Sequence, residues 1–231
     1  MTNEQLKDAC TAMHMPLDNE QMAMLHTYAQ MLASWNEKMN LTAITEEEEV
    51  NEKHFLDSIL PLGDVHVLGN ICDVGSGAGF PGLVWKIVRP DLTVTLLEPT
   101  GKRCTFLQAV IDELHLNEIK VINKRAEDFA KEKRESFDVV TARAVANLSL
   151  LSELCLPLVR PDGLFIAMKG LHGDEEAIAA EHAITILGGR KEAEYKHELP
   201  SGERINLVYR KVKKTPVMYP RNYGQMKKKP L

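Results

Sequence analysis

Several features that define other protein classes are missing from this sequence. It contains no run of about 18 apolar residues, so no membrane-crossing helix is predicted. Its four cysteines form no Cys-x-x-Cys pair, so neither a zinc site nor a disulfide framework is expected. The first residues also lack the basic-then-apolar pattern of a secretory signal. We therefore expect a cytoplasmic protein with no membrane contact and no bound metal.

Acidic residues are absent from the C-terminal segment. Residues 204–231 contain nine basic residues and no acidic one, whereas the rest of the chain has 19 basic and 33 acidic residues. A basic tail on an acidic body is typical of a chain that binds a polyanion. Tyr219 and Tyr223 in this segment are available to stack on nucleic-acid bases. The residues that we expect to bind the phosphates of such a polyanion are Lys211, Lys213, Lys214, Arg221, Lys227, Lys228 and Lys229.

The hydrophobic periodicity changes near residue 70. Residues 4–60 have apolar side chains at helical spacing, with a third helix expected to begin at the acidic run 46–49, capped by Thr45. Beyond residue 70, short apolar strands alternate with helices, which predicts a mostly parallel sheet covered on both faces. A short polar loop joins the last two strands, which predicts an antiparallel hairpin. The predicted strands are 71–74, 94–97, 119–122, 137–141, 164–168, 192–198 and 205–211, and the later helices are 81–88, 102–116, 148–158 and 174–187.

This pattern predicts an α/β fold with three segments. We expect a helical cap at 1–62, a nucleotide-binding domain at 63–212 and a basic tail at 213–231. The sheet should have seven strands, mostly parallel, with an antiparallel last strand.

The densest glycine cluster follows the first predicted strand. Asp73 is followed by Gly75, Gly77 and Gly79, and Gly82 lies in the first turn of the next helix, which is predicted to start around Pro81. Glycines permit positive φ angles and a close approach of a ligand to the backbone. The position, between a strand and a helix N-terminus, is typical of a nucleotide-like ligand.

The spacing alone leaves two cofactors open. Residues 77–82 also satisfy the dinucleotide pattern G-x-G-x-x-G, and Glu98 lies about 20 residues beyond it, as in NAD-binding proteins. Asp73 at the strand end, where it can receive a ligand ammonium group, favours S-adenosylmethionine instead. So do the segment Ala126-Glu127-Asp128 after the third strand, which can hold an adenine edge, and the reversed last strand. No Tyr-x-x-x-Lys pair for hydride transfer is present, which argues against an oxidoreductase.

With these motifs, the sequence resembles the glucose-inhibited division protein B family, the guanine-N7 methyltransferases of small-subunit ribosomal RNA. The resemblance covers nearly the whole chain. Asn222 and Tyr223 stand where many relatives would have a basic residue and a proline. The segments that carry the resemblance are 35–42, 54–58, 73–82, 101–103, 142–146, 169–170 and 219–224.

The resemblance implies a Rossmann-like class I methyltransferase fold with an N-terminal helical cap. It also implies S-adenosylmethionine as cofactor and a guanine in the 530-loop region of 16S ribosomal RNA as target, either in free RNA or in the small subunit. The implied cofactor contacts are Gly75, Phe80, Ala126, Glu127 and Arg143, to which the chemistry of the motifs adds Asp73, Gly77 and Glu98.

The expected reaction needs no catalytic side chain, because guanine N7 has a lone pair and no proton, and we expect direct in-line transfer without a general base. Arg143 and Lys169, each at a strand end, are expected only to position the substrates, and the chain is expected to act as a monomer. Two rival interpretations are a methyltransferase for proteins or small molecules, which leaves the basic tail unexplained, and a non-enzymatic RNA-binding factor, which leaves the intact glycine loop unexplained.

Overall fold

The computed structural model describes all 231 residues. Eleven α-helices and one π-helix surround a central sheet. The π-helix, Asn51–Leu56, lies between two α-helices of the N-terminal segment. The α-helices are α1 (Asn3–Ala12), α2 (Asn19–Met39), α3 (Glu47–Val50), α4 (Asp57–Asp64), α5 (Gly82–Val88), α6 (Gly101–Glu113), α7 (Ala126–Glu132), α8 (Leu148–Cys155), α9 (Gly173–Ala179), α10 (Glu181–Ile186) and α11 (Tyr223–Lys228).

Seven strands form one sheet in the order β3-β2-β1-β4-β5-β7-β6. The first five pair in parallel, and β7 lies antiparallel between β5 and β6. The predicted fold class is therefore confirmed, including the reversed last strand. The strands are β1 (Asn70–Val74), β2 (Thr93–Leu97), β3 (Ile119–Ile122), β4 (Phe137–Arg143), β5 (Val159–Lys169), β6 (Gly189–Leu199) and β7 (Gly202–Lys211).

Local side-chain chemistry sets the ends of the N-terminal helices. Thr2 and Asp18 each form a capping box at the start of α1 and α2, and Asn40 ends α2 in the left-handed region. The predicted cap at Thr45 is wrong, because Glu46 precedes α3 and makes no side-chain cap bond. The acidic first turn of α3 is instead favoured by the helix dipole.

One further helix and one strand differ from the sequence prediction, and two helices were not predicted. The expected helix 174–187 is two helices that break at Ala180. The strand expected from residue 164 begins at Val159, since β5 extends past a register shift against β4. Two short helices, α7 and α11, were not predicted, because each is too short to show a clear apolar period.

The core divides into two hydrophobic clusters, one on each face of the sheet. The first includes Leu25 and Leu32 of the cap together with Ile71 and Val94 of the sheet, so the cap and one sheet face share a core. The second includes Met226 of α11. Both the N-terminal cap and the C-terminal tail are therefore packed onto the sheet.

None of the helices is both long enough and apolar enough to cross a membrane.

Candidate active site

The loop between β1 and α5 follows the carboxyl end of β1. Gly75 and Gly77 have φ angles of +70° and +58°, which residues other than glycine rarely adopt. A Cβ atom on Gly75 would lie 2.6 Å from Cγ2 of Val145, whereas one on Gly77 would meet no atom closer than 3.8 Å. The backbone at Gly77 is therefore open to a ligand, and Gly75 allows Val145 to approach the loop.

Asp73 is fully buried at the end of β1. Its Oδ2 accepts a hydrogen bond of 3.0 Å from the amide of Gly82, which fixes the start of α5. Its Oδ1 is buried and has no hydrogen-bond partner. Burial raises the pKa of Asp73 to about 7, although the Gly82 amide, the Ser76 side chain and Arg143 act in the opposite direction. A buried acceptor without a partner is uncommon in folded proteins, and it is suited to a ligand amino group.

Glu98 follows β2 and is almost completely buried. Its Oε2 accepts a hydrogen bond of 2.9 Å from the amide of Gly77, and its Oε1 accepts one of 2.8 Å from Thr100. The carboxylate therefore links the end of β2 to the glycine loop, a role that the sequence did not indicate. Each carboxylate oxygen has capacity for a second hydrogen bond, so Glu98 can still accept from ribose hydroxyls.

A small cavity of about 140 Å³ lies beside the glycine loop. Its walls include Gly75, Leu97, Ala126, Glu127 and Tyr223. Complete small-molecule sites usually occupy about 300–1,000 Å³, so this cavity fits one part of a cofactor, such as a base. We call it the base cavity.

Glu127 supplies the polar group of the base cavity. The residue is only 6% exposed, yet its carboxylate accepts no hydrogen bond in the structure. Its oxygens are not among the buried atoms that lack a partner, and the residue lines the cavity, so the carboxylate can accept a hydrogen bond from a ligand donor. An exocyclic amino group of a base is such a donor.

A larger cleft of about 1060 Å³ lies between the helical cap and the carboxyl edge of the sheet. Val145 lines both the cleft and the base cavity, and no other residue does. The charged residues of the cleft are Glu48, Glu49, Glu52, Lys53, Asp57, Arg143, Lys169, Glu176 and Arg204.

Arg143 ends β4 and joins the sheet to the cap. Its Nη1 donates to Oδ2 of Asp57 at 2.6 Å and to the carbonyl of Lys53 at 3.0 Å. Its guanidinium carbon lies 5.0 Å from the ring centroid of Phe80, within the range of a cation–π interaction. Arg204 also reaches Asp57, at 3.1 Å. Arg143 thus lines the cleft as predicted, but its contacts in the structure are structural ones within the protein.

His54 lies on the π-helix and is stacked on Phe80 of the glycine loop, with 4.3 Å between the ring centroids. Its Nε2 lies 2.9 Å from Oγ1 of Thr42, and its Nδ1 lies 3.1 Å from Nη2 of Arg143. Burial and the charge of Arg143 lower the pKa of His54 to about 3. The imidazole is therefore neutral, with Nδ1 between the Arg143 donor and the carbonyl of Lys53, which lies 3.0 Å away.

Tyr28 on α2 makes a second contact between the cap and the glycine loop. Its hydroxyl donates to the carbonyl of Ala78, and its ring lies 5.5 Å from that of Phe80. Sequence reasoning placed Tyr28 only in the apolar stripe of a helix. A tyrosine in a buried stripe usually requires a partner for its hydroxyl, and that was the available signal.

Lys169 ends β5, as expected, and its side chain is 8% exposed. Its Nζ donates to the carbonyl of Ala146 and to Oε2 of Glu176, both at 2.7 Å. These bonds hold the segment that follows β4 against α9. Lys169 lines the cleft with its charge already paired.

The structure corrects two of the predicted RNA contacts. Lys211 is 0% exposed and donates to the carbonyl of Leu156 at 2.6 Å and to Oγ1 of Thr215 at 2.7 Å. Burial lowers its pKa to about 8. Arg221 forms an ion pair of 2.6 Å with the buried Glu153. Lys211 is therefore inaccessible to RNA, and Arg221 is already paired. The sequence could not show this, because charge alone does not distinguish the basic residues that fold inwards from those that face solvent. The exposed members of the predicted set are Lys213, Lys214, Lys227, Lys228 and Lys229.

The strand order, the glycine loop and the buried acceptors beside it define a class of protein. The chain is a Rossmann-like methyltransferase. Two solved structures share the fold. One is the 16S rRNA (adenine(1408)-N(1))-methyltransferase of Catenulisporales acidiphilia with cosubstrate SAM, with a TM-score of 0.53 and 13% identity over 64% of this chain and 86% of that one. The other is precorrin-6y C5,15-methyltransferase of Geobacter metallireducens, with a TM-score of 0.51 and 9% identity over 68% of this chain and 87% of that one.

The family follows from the sequence comparisons. A model of the GidB family, described as rRNA small subunit methyltransferase G, matches residues 21–203. The chain is 47% identical to a ribosomal RNA small subunit methyltransferase G of Bacillus pumilus, across 100% of this chain and 99% of that protein. It is 49% identical to the protein of the same name from Staphylococcus carnosus, across 93% of this chain and 92% of that protein. The chain belongs to this family, which confirms the resemblance.

Proposed function

We propose that this protein transfers a methyl group from S-adenosylmethionine to N7 of a guanine in the 530-loop region of 16S ribosomal RNA. The observation that carries the proposal is the pair of cavities that meet at Val145. One has the size and polarity for a base of the cofactor, and the other is a wide, charged cleft for a nucleotide of the substrate. The family to which the chain belongs supports ribosomal RNA as that substrate.

The residues around the glycine loop fit S-adenosylmethionine. Asp73 has an orphaned buried oxygen for the amino group of the cofactor, and Glu98 has capacity for the ribose hydroxyls. Glu127 and Ala126 line the base cavity. We also assign Gly75, Gly77, Phe80 and Arg143 to the cofactor site. Phe80 and Arg143 contact each other through a cation–π interaction.

In this reaction the protein mainly has to position the cofactor and the guanine. When bound, S-adenosylmethionine supplies a methyl group already activated by its sulfonium. Guanine N7 carries no proton, so no side chain has to act as a general base. The protein has to hold N7 in line with the methyl group. Orientation of this kind can lower the activation free energy by about 7–11 kcal/mol.

Charges in the cleft suit both the substrate and the product. Arg143, Lys169 and Arg204 line the cleft in pairs with Asp57 and Glu176, so an RNA strand that enters the cleft meets both positive and negative groups. Methylation at N7 makes the guanine cationic, and nearby carboxylates stabilise developing positive charge. We assign Arg143 and Lys169 to positioning rather than to a chemical step.

The exposed lysines of the tail supply the contact to the RNA backbone. These are Lys213, Lys214, Lys227, Lys228 and Lys229. In this proposal the cap (1–62) contacts the target nucleotide and the domain 63–212 binds the cofactor. The tail (213–231) contacts the RNA backbone. We further propose that the enzyme acts as a monomer in the cytoplasm.

Transfer of labelled methyl groups tests the proposal. The protein is incubated with labelled S-adenosylmethionine and with 16S ribosomal RNA, either free or in small subunits, from cells that lack the modification. Nucleoside mass spectrometry then identifies the product. We expect one 7-methylguanosine per RNA, located in the 530-loop region. Label on another base, or no label with either substrate, contradicts the proposal.

A further inference from the structure

The C-terminal segment is anchored at several points between β7 and α11. The guanidinium of Arg134, just beyond α7, donates to the carbonyls of Thr215, Pro216 and Tyr219. Three donors of one arginine therefore fix the path of the chain after β7. A side chain with this fork of donors is well suited to hold an irregular segment.

The second anchor lies just before α11. Glu153 on α8 is 1% exposed, and it accepts hydrogen bonds from the amide, Nε and Nη2 of Arg221. Asn222 caps α11 through Gln225, and Met226 is fully buried in the core. The helix α11 is therefore held in one orientation against α8.

This orientation places Tyr223 in the wall of the base cavity. The cavity is lined by Tyr223 together with Leu97, Ala126 and Glu127. The guanidinium carbon of Arg125 lies 5.5 Å from the centroid of the Tyr223 ring, which holds that ring from one side. The hydroxyl of Tyr223 makes no hydrogen bond in the structure, so only the aromatic ring has a defined role.

We propose that the C-terminal tail completes the cofactor site and that the ring of Tyr223 contacts the adenine base. The inference rests on the proposed function, since it takes S-adenosylmethionine as the occupant of the base cavity. It assigns Tyr223 to the cofactor, whereas the sequence predicted that it stacks on RNA. A chain without the tail should therefore lose cofactor affinity as well as RNA affinity.

Calorimetry with two adenine-containing probes tests this assignment. S-adenosylhomocysteine has both the base and the amino-acid part, and 5′-methylthioadenosine has the base without the amino acid. Loss of aromatic stacking on one base weakens binding by about tenfold. Tyr223→Ala should therefore weaken both probes by about tenfold, while Tyr223→Phe keeps the ring and should bind both like the unmodified protein.

Gln225→Ala is the matched control, since Gln225 lies exposed on the same helix and its side chain makes no hydrogen bond. It should bind both probes normally. Normal binding by Tyr223→Ala overturns the inference and leaves the proposed function standing. A loss for S-adenosylhomocysteine alone also overturns it, because the ring would then contact the amino-acid part. If the unmodified protein binds neither probe, the proposed function itself fails.

Hydrogen exchange of the unmodified protein tests the inference without a variant that could unfold the tail. S-adenosylhomocysteine should slow exchange of the amides of residues 221–228. Unchanged exchange in that segment, with slower exchange in the loop 75–82, overturns the role of the tail while confirming the cofactor site.

Discussion

The protonation state and the contacts of single residues at this site are set by neighbouring side chains. His54 shows this most clearly. Burial and Arg143 keep its imidazole neutral, so it can stack on Phe80 and accept a hydrogen bond at the same time. A protonated His54 would bring two cations together in a buried place. The contacts of His54 with Phe80 and Arg143 thus depend on a neutral imidazole.

This dependence predicts a specific effect of pH on stability. The pKa of His54 is about 3 in the folded protein, below the ordinary histidine value of about 6.5. Between these values the unfolded chain binds a proton that the folded chain does not, so stability falls as the pH falls. The expected loss at pH 5 is about 2 kcal/mol.

Urea unfolding at pH 7 and pH 5 measures this effect. The unmodified protein should lose about 2 kcal/mol more than His54→Gln between the two pH values. The comparison with the variant removes the contribution of other groups, including Asp73. Equal losses in the two proteins would show that His54 titrates normally in the folded state.

At the scale of elements, the tail separates into a buried anchor and an exposed charged end. Arg221 belongs to the anchor, to which Lys211 at the end of β7 also contributes, and the lysines at 227–229 form the exposed end. Composition correctly indicated a basic tail, but it could not separate these two groups. A lysine that donates to backbone carbonyls inside the core looks the same in sequence as one in solvent.

The exposed end should control RNA affinity. Replacing Lys227, Lys228 and Lys229 together by alanine should weaken RNA binding and reduce the slope of log K against log salt by up to about 2–3. Binding of S-adenosylhomocysteine should not change. Filter binding over a range of salt concentrations gives the slope, with Lys120→Ala on β3 as a control lysine outside the tail. A slope that is unchanged in the triple variant would remove these lysines from the RNA interface.

The anchor should control stability instead. Arg221→Met leaves the carboxylate of Glu153 buried without its partner. The expected cost is about 2–3 kcal/mol, below that of a fully buried pair because Arg221 is partly exposed. Replacing both residues by methionine should cost less than the sum of the two single changes. Additive costs, measured by urea unfolding, would mean that the pair does not stabilise the tail.

At the scale of the whole molecule, the sequence predicted the architecture better than the site. Alternating strand and helix patterns predicted all seven strands and the reversed β7, because burial on both faces of a parallel sheet leaves a strong signal. The glycine loop, with Asp73 and Glu98, was also found. These residues could be recognised because they lie close together in the sequence, within residues 73–98.

The contacts that the sequence did not show all join distant parts of the chain. Tyr28 reaches the glycine loop from the cap, and Tyr223 reaches the base cavity from the tail. Asp57 pairs with both Arg143 and Arg204 across three elements. Such contacts arise from tertiary packing, for which local periodicity carries no information.

The central step of the proposed function is transfer of a methyl group to guanine N7 in the cleft beside the cofactor. Two matched substrates test it, small subunits or RNAs that carry guanine or 7-deazaguanine at the target position. The account predicts methyl transfer to the guanine substrate and none to the 7-deazaguanine substrate, which lacks the accepting nitrogen. Equal labelling of both substrates would place the methyl group on another atom and contradict it.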